Sequence, residues 1–172
     1  DQAVQTSRRG YARKISIKFL QRYISRNSIG KGTDASVKVD HPFNLTLCNQ
    51  DDLFVMVSRQ GYVLSVSGDD LPVAAGQAIR LDPDDSLVAS FALAEGASLV
   101  IVTQEGRAIR YPADWLKPVA KLGRKGQAIW SKAKRETGIQ VVGALAAADD
   151  DWGVGLKANG QLVAVKINEI PL

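Results

Sequence analysis

The chain repeats one hairpin pattern four times, and this repetition constrains the fold more than any other feature of the sequence. Each copy has alternating apolar residues, a short polar turn that contains glycine, and a second run of alternating residues. Alternation with a period of two predicts β-strands, and glycine supplies the positive φ angle that a tight hairpin turn requires. The turn glycines are Gly10, Gly61, Gly106 and Gly160, spaced by 51, 45 and 54 residues.

Two further elements recur between the hairpins in a fixed order. The tetrapeptide Gly-Gln-Ala-Ile occurs at residues 76–79 and again at 126–129, and a looser copy lies at 32–37. An apolar strand that ends in an acidic turn also recurs, at residues 43–52, 87–96 and 139–151. One unit therefore holds about four strands in 45–54 residues, which matches the size of a propeller blade.

These units predict an all-β fold, a propeller-like array of about four blades in a single domain over residues 1–172. The units are placed at approximately 1–28, 29–73, 74–121 and 122–172. A basic amphipathic helix could instead be drawn through residues 13–26, but the hairpin register favours a strand followed by a loop. A chain of 172 residues with 45% hydrophobic residues can bury a core without help from disulfides or metals.

The charge of +4 is unevenly distributed along the chain. Residues 1–40 carry a net +6, residues 41–100 a net −6 and residues 101–172 a net +4. Basic segments of this density attract polyanions, because neutralised phosphates release condensed counterions. The alternative is that surface lysines only keep the protein in solution. If a polyanion binds, we expect the acidic middle to face away from it or to contact it poorly.

The sequence offers no catalytic constellation, metal site or cofactor motif. The single cysteine, Cys48, lies in an apolar stretch and is expected to be a buried, reduced thiol. The single histidine, His41, precedes a proline in a predicted turn, so no His/Cys cluster could ligate a metal. The run Asp149–Asp151 is interpreted as a solvated turn. Trp115, Trp130 and Trp152 are expected to pack between blades.

The ordered set of elements resembles the C-terminal β-pinwheel domain of the A subunit of bacterial DNA gyrase and topoisomerase IV. The resemblance covers nearly the whole chain and is strongest over residues 97–172. Its elements are the hairpin at 99–111, the Gly/Arg/Lys-rich loop and strand at 122–130, and the run at 141–151 with the hairpin and segment 167–171 after it.

The resemblance implies a partial or reduced β-pinwheel whose basic outer rim binds and wraps duplex DNA. It implies a non-catalytic accessory domain of an ATP-dependent type II topoisomerase, with double-stranded DNA, a cleavage core and an ATPase subunit as partners. The implied location is the bacterial cytoplasm, associated with the nucleoid, with no membrane role and no cofactor. Tyr23 follows an arginine, as the catalytic tyrosine of the family's core does, but a loop aromatic is expected here.

Two departures from the family pattern shape these expectations. The gyrase domain carries a heptapeptide, Q-R-R-G-G-K-G, and the nearest sequences here, at 28–32 and 122–126, are degenerate. This favours a role like that of topoisomerase IV. Family wheels usually have five or six blades, so we expect a fragment, a partial wheel or a reduced relative.

Proteins that follow the DNA backbone need lysine and arginine along a convex edge and no base-reading helix. A propeller-like scaffold that offers its acidic middle to a basic partner protein is the alternative function. The candidate DNA-binding residues are Arg8, Arg9, Arg13, Lys14, Lys18, Arg22, Arg26, Lys31, Arg107, Arg110, Lys121, Arg124, Lys125, Lys132, Lys134 and Arg135.

Overall fold

Thirteen antiparallel strands in four sheets form the framework of the computed structural model, which describes residues 2–21 and 40–172. The first sheet has the order β3-β1-β2-β6, formed by β1 (Gln2–Ser7), β2 (Tyr11–Ser16), β3 (Pro42–Cys48) and β6 (Gly76–Gln77). The second has the order β10-β5-β4-β7, formed by β4 (Leu53–Ser58), β5 (Tyr62–Ser67), β7 (Leu87–Leu93) and β10 (Gln127–Ala128).

The third and fourth sheets are smaller. The third has the order β11-β8-β9, formed by β8 (Ser98–Thr103), β9 (Ala108–Pro112) and β11 (Val141–Ala147). The fourth is the hairpin of β12 (Trp152–Leu156) and β13 (Leu162–Lys166). The helical elements are α1 (Ile17–Gln21), α2 (Lys132–Glu136) and three 3₁₀ turns at Gly68–Asp70, Ala113–Trp115 and Ile167–Glu169.

Strand exchange links the first three sheets. β6 follows the hairpin of the second sheet in the chain, yet it pairs with β2 of the first sheet. β10 follows the hairpin of the third sheet, yet it pairs with β5 of the second. Each Gly-Gln-Ala-Ile segment therefore completes the preceding sheet of the array, and not the sheet whose hairpin comes just before it in the chain. Among the described residues, no strand pairing joins the fourth sheet to the first, so the array is open.

The core lies between successive sheets, and strands of the second sheet are apolar on both faces for that reason. Phe54 and Met56 of β4 face the first sheet and pack with Val4 and Leu64 in one buried cluster. Val55 and its neighbours on the other face of β4 pack against the third sheet. The cluster between the third sheet and the last hairpin is much smaller. The expected all-β architecture is therefore confirmed.

Buried aspartates tie two hairpin turns to the strands that follow. Asp85 is 1% exposed, and its carboxylate accepts hydrogen bonds from Gln60 N at 3.0 Å and Ser86 N at 2.8 Å. Asp40, 45 residues earlier, accepts from Arg9 N at 3.2 Å in the first hairpin. Each carboxylate satisfies turn N–H groups that would otherwise be buried without a partner.

The segment at 13–26 differs from its prediction in one respect. β2 extends to Ser16 as expected, but Ile17–Gln21 is a short helix, α1, and not a loop. A helical turn lets backbone N–H and C=O groups pair locally where the ladder of the sheet ends. Residues 22–39, including the looser repeat at 32–37, lie outside the described residues. The proposed unit boundaries stay a prediction.

We predict that Asp85→Ala lowers the free energy of unfolding by about 1–3 kcal/mol, because two half-buried N–H groups lose their acceptor. Chemical denaturation of the purified chain measures this change. Asp70→Ala removes an exposed acid and serves as the matched control, with an expected effect within about 0.5 kcal/mol. Equal stability of the two variants would contradict the role assigned to the Asp85 carboxylate.

Candidate nucleic-acid interface

A continuous hydrogen-bonded row joins three segments that carry cations, and two of these segments hold predicted DNA-binding residues. The turn of the first hairpin contributes the carbonyl of Gly10, which accepts from Ala78 N at 2.9 Å. The carbonyl of Ala78 accepts from Gly123 N at 2.8 Å, and Arg80 N donates to the carbonyl of Arg124 at 2.8 Å. The main chains of segments far apart in sequence therefore run side by side.

This row lies on the side of the array where the sheets diverge. β3, β7 and β11 approach one another from sheet to sheet, so the sheets converge at that end. β6 and β10 lie at the opposite ends of their sheets. The row therefore occupies the outer rim of the array, the place where a backbone-binding surface was expected.

Six cations belong to this row or to the loops that directly adjoin it, and we call them the cation row. Four have exposed side chains, and Arg9 and Lys125 are half-buried. Arg80 was not among the predicted residues, since it lies in the acidic middle of the sequence. No repeat signal marks Arg80 as an exposed cation, because the residue at the same place after the other Gly-Gln-Ala-Ile is the buried Trp130. The cation row consists of Arg8, Arg9, Arg80, Lys121, Arg124 and Lys125.

An acidic loop, residues 82–85, lies among these cations. Lys125 Nζ is 2.6 Å from Asp82 Oδ2. The guanidinium of Arg9 donates to two carbonyl oxygens of the loop, at 3.1 and 2.8 Å, and that of Arg59 donates to a third. The acidic middle of the sequence therefore contributes one loop to the surface that carries the cation row.

Tyr62 organises the inner side of the cation row. The Lys125 ammonium lies 4.6 Å from the centre of its ring, and the Arg135 guanidinium lies 5.1 Å from it. Arg135 also donates to the carbonyl of Trp130. The hydrogen bond to Asp82 raises the pKa of Lys125, against an opposing effect of partial burial. Lys125 therefore stays protonated throughout the neutral range.

Most cations of the first hairpin make contacts within the protein. Arg8 lies 4.4 Å from the centre of the Phe43 ring, and Arg13 Nε donates to Gln5 Oε1 at 2.9 Å. Lys14 Nζ donates to the carbonyl of Asp69 at 2.7 Å and lies 3.9 Å from its carboxylate. These contacts hold the hairpin in place and leave Lys18, on α1, as an exposed cation.

The remaining predicted cations divide between structural and exposed positions. Arg110 is largely buried and pairs with Asp149, which links the third sheet to the turn before β12. Arg107 is exposed beside Glu105 at 3.4 Å. Lys132 and Lys134 are exposed on α2, and Lys132 lies 3.8 Å from Glu136. Three further predictions, Arg22, Arg26 and Lys31, lie outside the described residues.

Other chemistry is limited in the part of the chain that the structure describes. Its residues contain no group of three or more His, Cys, Asp or Glu side chains that could hold a metal ion. No helix in residues 2–21 and 40–172 is long and apolar enough to cross a membrane.

Burial raises the pKa of Tyr111, whose ring lies 4.3 Å from that of Trp115. Trp130 is buried in the core as expected, whereas Trp152 is 62% exposed.

Comparisons with known proteins agree with this architecture. A family model described as "DNA gyrase C-terminal domain, beta-propeller" matches residues 52–93 and 97–129, somewhat less than half of the chain. The resemblance predicted from the sequence is confirmed. No curated protein matches the chain.

Solved structures of C-terminal topoisomerase domains share the fold. The C-terminal domain of DNA topoisomerase IV has a TM-score of 0.80 and 18% identity, over 98% of this chain and 53% of that one. The DNA gyrase A C-terminal domain has a TM-score of 0.74 and 16% identity, over 99% and 57%. The E. coli ParC C-terminal domain has a TM-score of 0.70 and 13% identity, over 99% and 72%. The chain thus spans about half the length of the first two of these.

Cys48 yields a prediction about reactivity. Burial, with a contribution from the Asp52 charge, raises the pKa of its thiol from 9.0 to about 11. At pH 8 the native chain should therefore hold about 100-fold less thiolate than the unfolded chain and react with a disulfide reagent at least that much more slowly. The denatured chain is the control, and equal rates for native and denatured chains would contradict the prediction.

The same pKa shift has a consequence for stability. Between pH 9 and 11 the native thiol keeps a proton that the unfolded chain releases, so the free energy of unfolding should fall as pH rises through this range. Cys48→Ala removes this contribution and should flatten the profile over the same range.

Proposed function

We propose that this chain binds duplex DNA along the cation row, without sequence preference, and bends it as a non-catalytic accessory domain of a type IIA topoisomerase A subunit. The observation that carries the proposal is the hydrogen-bonded row at the outer rim, where Arg80 and Arg124 are exposed side by side. The resemblance to gyrase and topoisomerase IV C-terminal domains supports the same conclusion.

The chemistry of the row suits phosphate. Guanidinium groups form bidentate, charge-assisted hydrogen bonds with phosphate oxygens, and each neutralised phosphate releases counterions. Gly123 lies beside the exposed cations with a positive φ angle of 79°. A loop of this kind lets the main chain approach a phosphate closely.

The helices of the described chain argue for contact with the DNA backbone, not with base edges. α1 and α2 have five residues each, too short to act as a recognition helix in the major groove. Affinity then comes from phosphate neutralisation and from the deformability of the duplex, which carry little sequence information directly.

The larger enzyme in which we propose that this domain acts is inferred from the resemblance to the topoisomerase domains. A cleavage core and an ATPase subunit would supply the chemistry, and this domain would present a bent segment of DNA to them in the cytoplasm, at the nucleoid. The degenerate heptapeptide at 122–126 favours a role like that of topoisomerase IV.

We predict that replacing Arg80, Lys121 and Arg124 together by alanine weakens binding to random-sequence duplex DNA at least 10-fold. If the wild-type chain contacts about six phosphates, log K falls with log[salt] at a slope near −5, and the triple variant loses about 0.9 of slope per cation removed. Fluorescence anisotropy over a salt series measures both quantities.

Lys157→Ala is the control for this experiment, because Lys157 is an exposed cation beside the turn of the last hairpin. It should leave affinity and slope within twofold of the wild type. On small circular DNA relaxed by a nicking-closing enzyme, the wild-type chain should change the linking number. Absence of binding at low salt would overturn the proposal and favour the protein-interaction scaffold.

Asp82→Asn should tighten DNA binding by about two- to tenfold. The change removes the acceptor charge that holds Lys125, so this cation can pair with a phosphate and the salt slope should steepen by about 0.9. Asp114→Asn removes an exposed acid on the Ala113–Trp115 turn and should have little effect. Unchanged affinity in Asp82→Asn would show that Lys125 takes no part in binding.

A further inference from the structure

The hairpins of the first three sheets point the same way, so the array has two distinct sides. Leu87 N donates to Arg8 O at 2.9 Å, which places the turn of the first hairpin beside the start of β7. Val141 N donates to Arg59 O at 2.8 Å, which places the turn of the second hairpin beside the start of β11. β7 and β11 begin opposite the turn ends of the second and third hairpins. We call this side of the array the turn side and the opposite one the corner side.

Two connecting segments occupy equivalent places on the turn side but carry opposite charge. Hydrogen bonds to the first two hairpin turns hold the loop at 82–85. Hydrogen bonds to the second and third hairpin turns hold the segment at 132–141, which begins with α2. The loop contains three acids and no cation, whereas the segment contains three cations and one acid, and Lys132 and Lys134 are exposed. A polyanion on the turn side is therefore repelled between the first two sheets and attracted between the second and third.

The corner side carries charge in the reverse order. The outer strand of each hairpin ends there in a helical turn, which is α1 in the first sheet and residues 68–70 and 113–115 in the next two. Lys18 in α1 is exposed. The corner side therefore attracts a polyanion at the first sheet and repels it at the second and third. The turns at 68–70 and 113–115 contain no cation, and their exposed acids are Asp69, Asp70 and Asp114.

Cations at the middle of the rim connect these two basic places. Arg80 and Arg124 are exposed on hydrogen-bonded main chains. Lys117 and Lys121 flank Val119, whose N–H donates at 2.9 Å to a carbonyl at the middle of β5. Basic residues therefore form one band, which runs from the corner side of the first sheet to the turn side between the second and third sheets.

The arginines of the first hairpin turn do not extend this band along the turn side. Arg8 lies over the ring of Phe43 in β3, at the converging end of the first sheet, and donates to Leu87 O at 3.5 Å. Arg9 donates to two carbonyl oxygens of the loop at 82–85. Both guanidinium groups are directed toward acceptors within the protein, and the three acids of the loop exceed these two cations in number.

We propose that the duplex crosses the rim obliquely, from Lys18 on the corner side of the first sheet to α2 on the turn side between the second and third sheets. It would pass over Arg80 and Arg124 at the middle. The inference rests on the proposed function, because it specifies the path of the same ligand. Acids on both flanks of the band disfavour the alternative paths, since like charges brought together oppose binding. A duplex bound in this way is inclined to the plane in which the array curves.

Cleavage of DNA from four tethered positions tests the path. Single cysteines in a Cys48→Ala chain would carry an iron–EDTA reagent, which cuts nearby DNA. Ser16→Cys and Pro112→Cys occupy the same hairpin register on the corner side of the first and third sheets, and Ala133→Cys and Pro83→Cys occupy the two segments on the turn side. All four native residues are exposed. A six-residue strand spans about 20 Å, so the two sides are far enough apart to be distinguished.

The two sides should give opposite orders of cleavage along the array. We expect at least fivefold more cleavage of random-sequence duplex from Ser16→Cys than from Pro112→Cys, and at least fivefold more from Ala133→Cys than from Pro83→Cys. Equal cleavage within each pair, the reverse order in either pair, or no cleavage with intact binding would overturn the oblique path and leave the proposed function standing. If the wild-type chain does not bind duplex DNA at low salt, the proposed function itself fails.

Removal of the cations at the two ends of the band gives a second measurement, by fluorescence anisotropy over a salt series. Replacing Lys132 and Lys134 together by alanine retains α2, because alanine is the strongest helix former. We expect at least fivefold weaker binding and a salt slope smaller by about 1.8, and Lys18→Ala should reduce the slope by about 0.9. Lys157→Ala is again the control. Affinity and slope like those of the wild type in the α2 variant would show that the duplex does not reach α2, and the proposal would be wrong.

Discussion

The main-chain hydrogen bond from the exchanged segment to the turn glycine is the interaction on which the rest of the structure depends. It completes the first two sheets with residues from the repeat that follows, at Gly10 and Gly61. Because each sheet needs the next repeat, the stability of one blade is inseparable from that of its neighbour. The same segments carry Ile79 and Trp130 into the cores between sheets, so hydrogen bonding and hydrophobic burial reinforce one another.

The exchange also determines where charge lies. Segments that leave one sheet and join another must cross the outer rim, and their loops contain Arg80 and Arg124. The loop at 82–85 follows the first exchanged segment directly, which is why acids from the middle of the chain lie against basic residues from both ends. Net charge per segment could not reveal this, because the fold interleaves the segments.

Local signals in the sequence were sufficient to predict the hairpins, but not to predict which strands pair with the edges of those hairpins. The turn glycines all have φ angles between 76° and 86°, as the hairpin prediction required. The pairing partners of β6 and β10 could not be predicted. A two-residue strand carries no register information. Exchange to an earlier sheet also has the same sequence pattern as pairing within the unit. The candidate cations were chosen by charge density and by equivalent hairpin position, and neither reports burial, so Arg110 was included although its guanidinium pairs with Asp149 in a largely buried position. Arg80 was missed for the same reason, because its own segment is acidic.

The backbone hydrogen bonds that position the exposed arginines affect how a duplex could be bound. The main chains of Arg80 and Arg124 are hydrogen-bonded to each other, so the spacing of the two backbones is fixed before any ligand arrives. Ordering of loops on binding reduces affinity, and a surface whose backbone is already fixed avoids most of that cost. Only the terminal guanidinium groups need to adjust to the phosphates. A rim built from exchanged strands therefore combines a backbone of fixed spacing with side chains that can adjust, which is what the proposed contact with a DNA backbone requires.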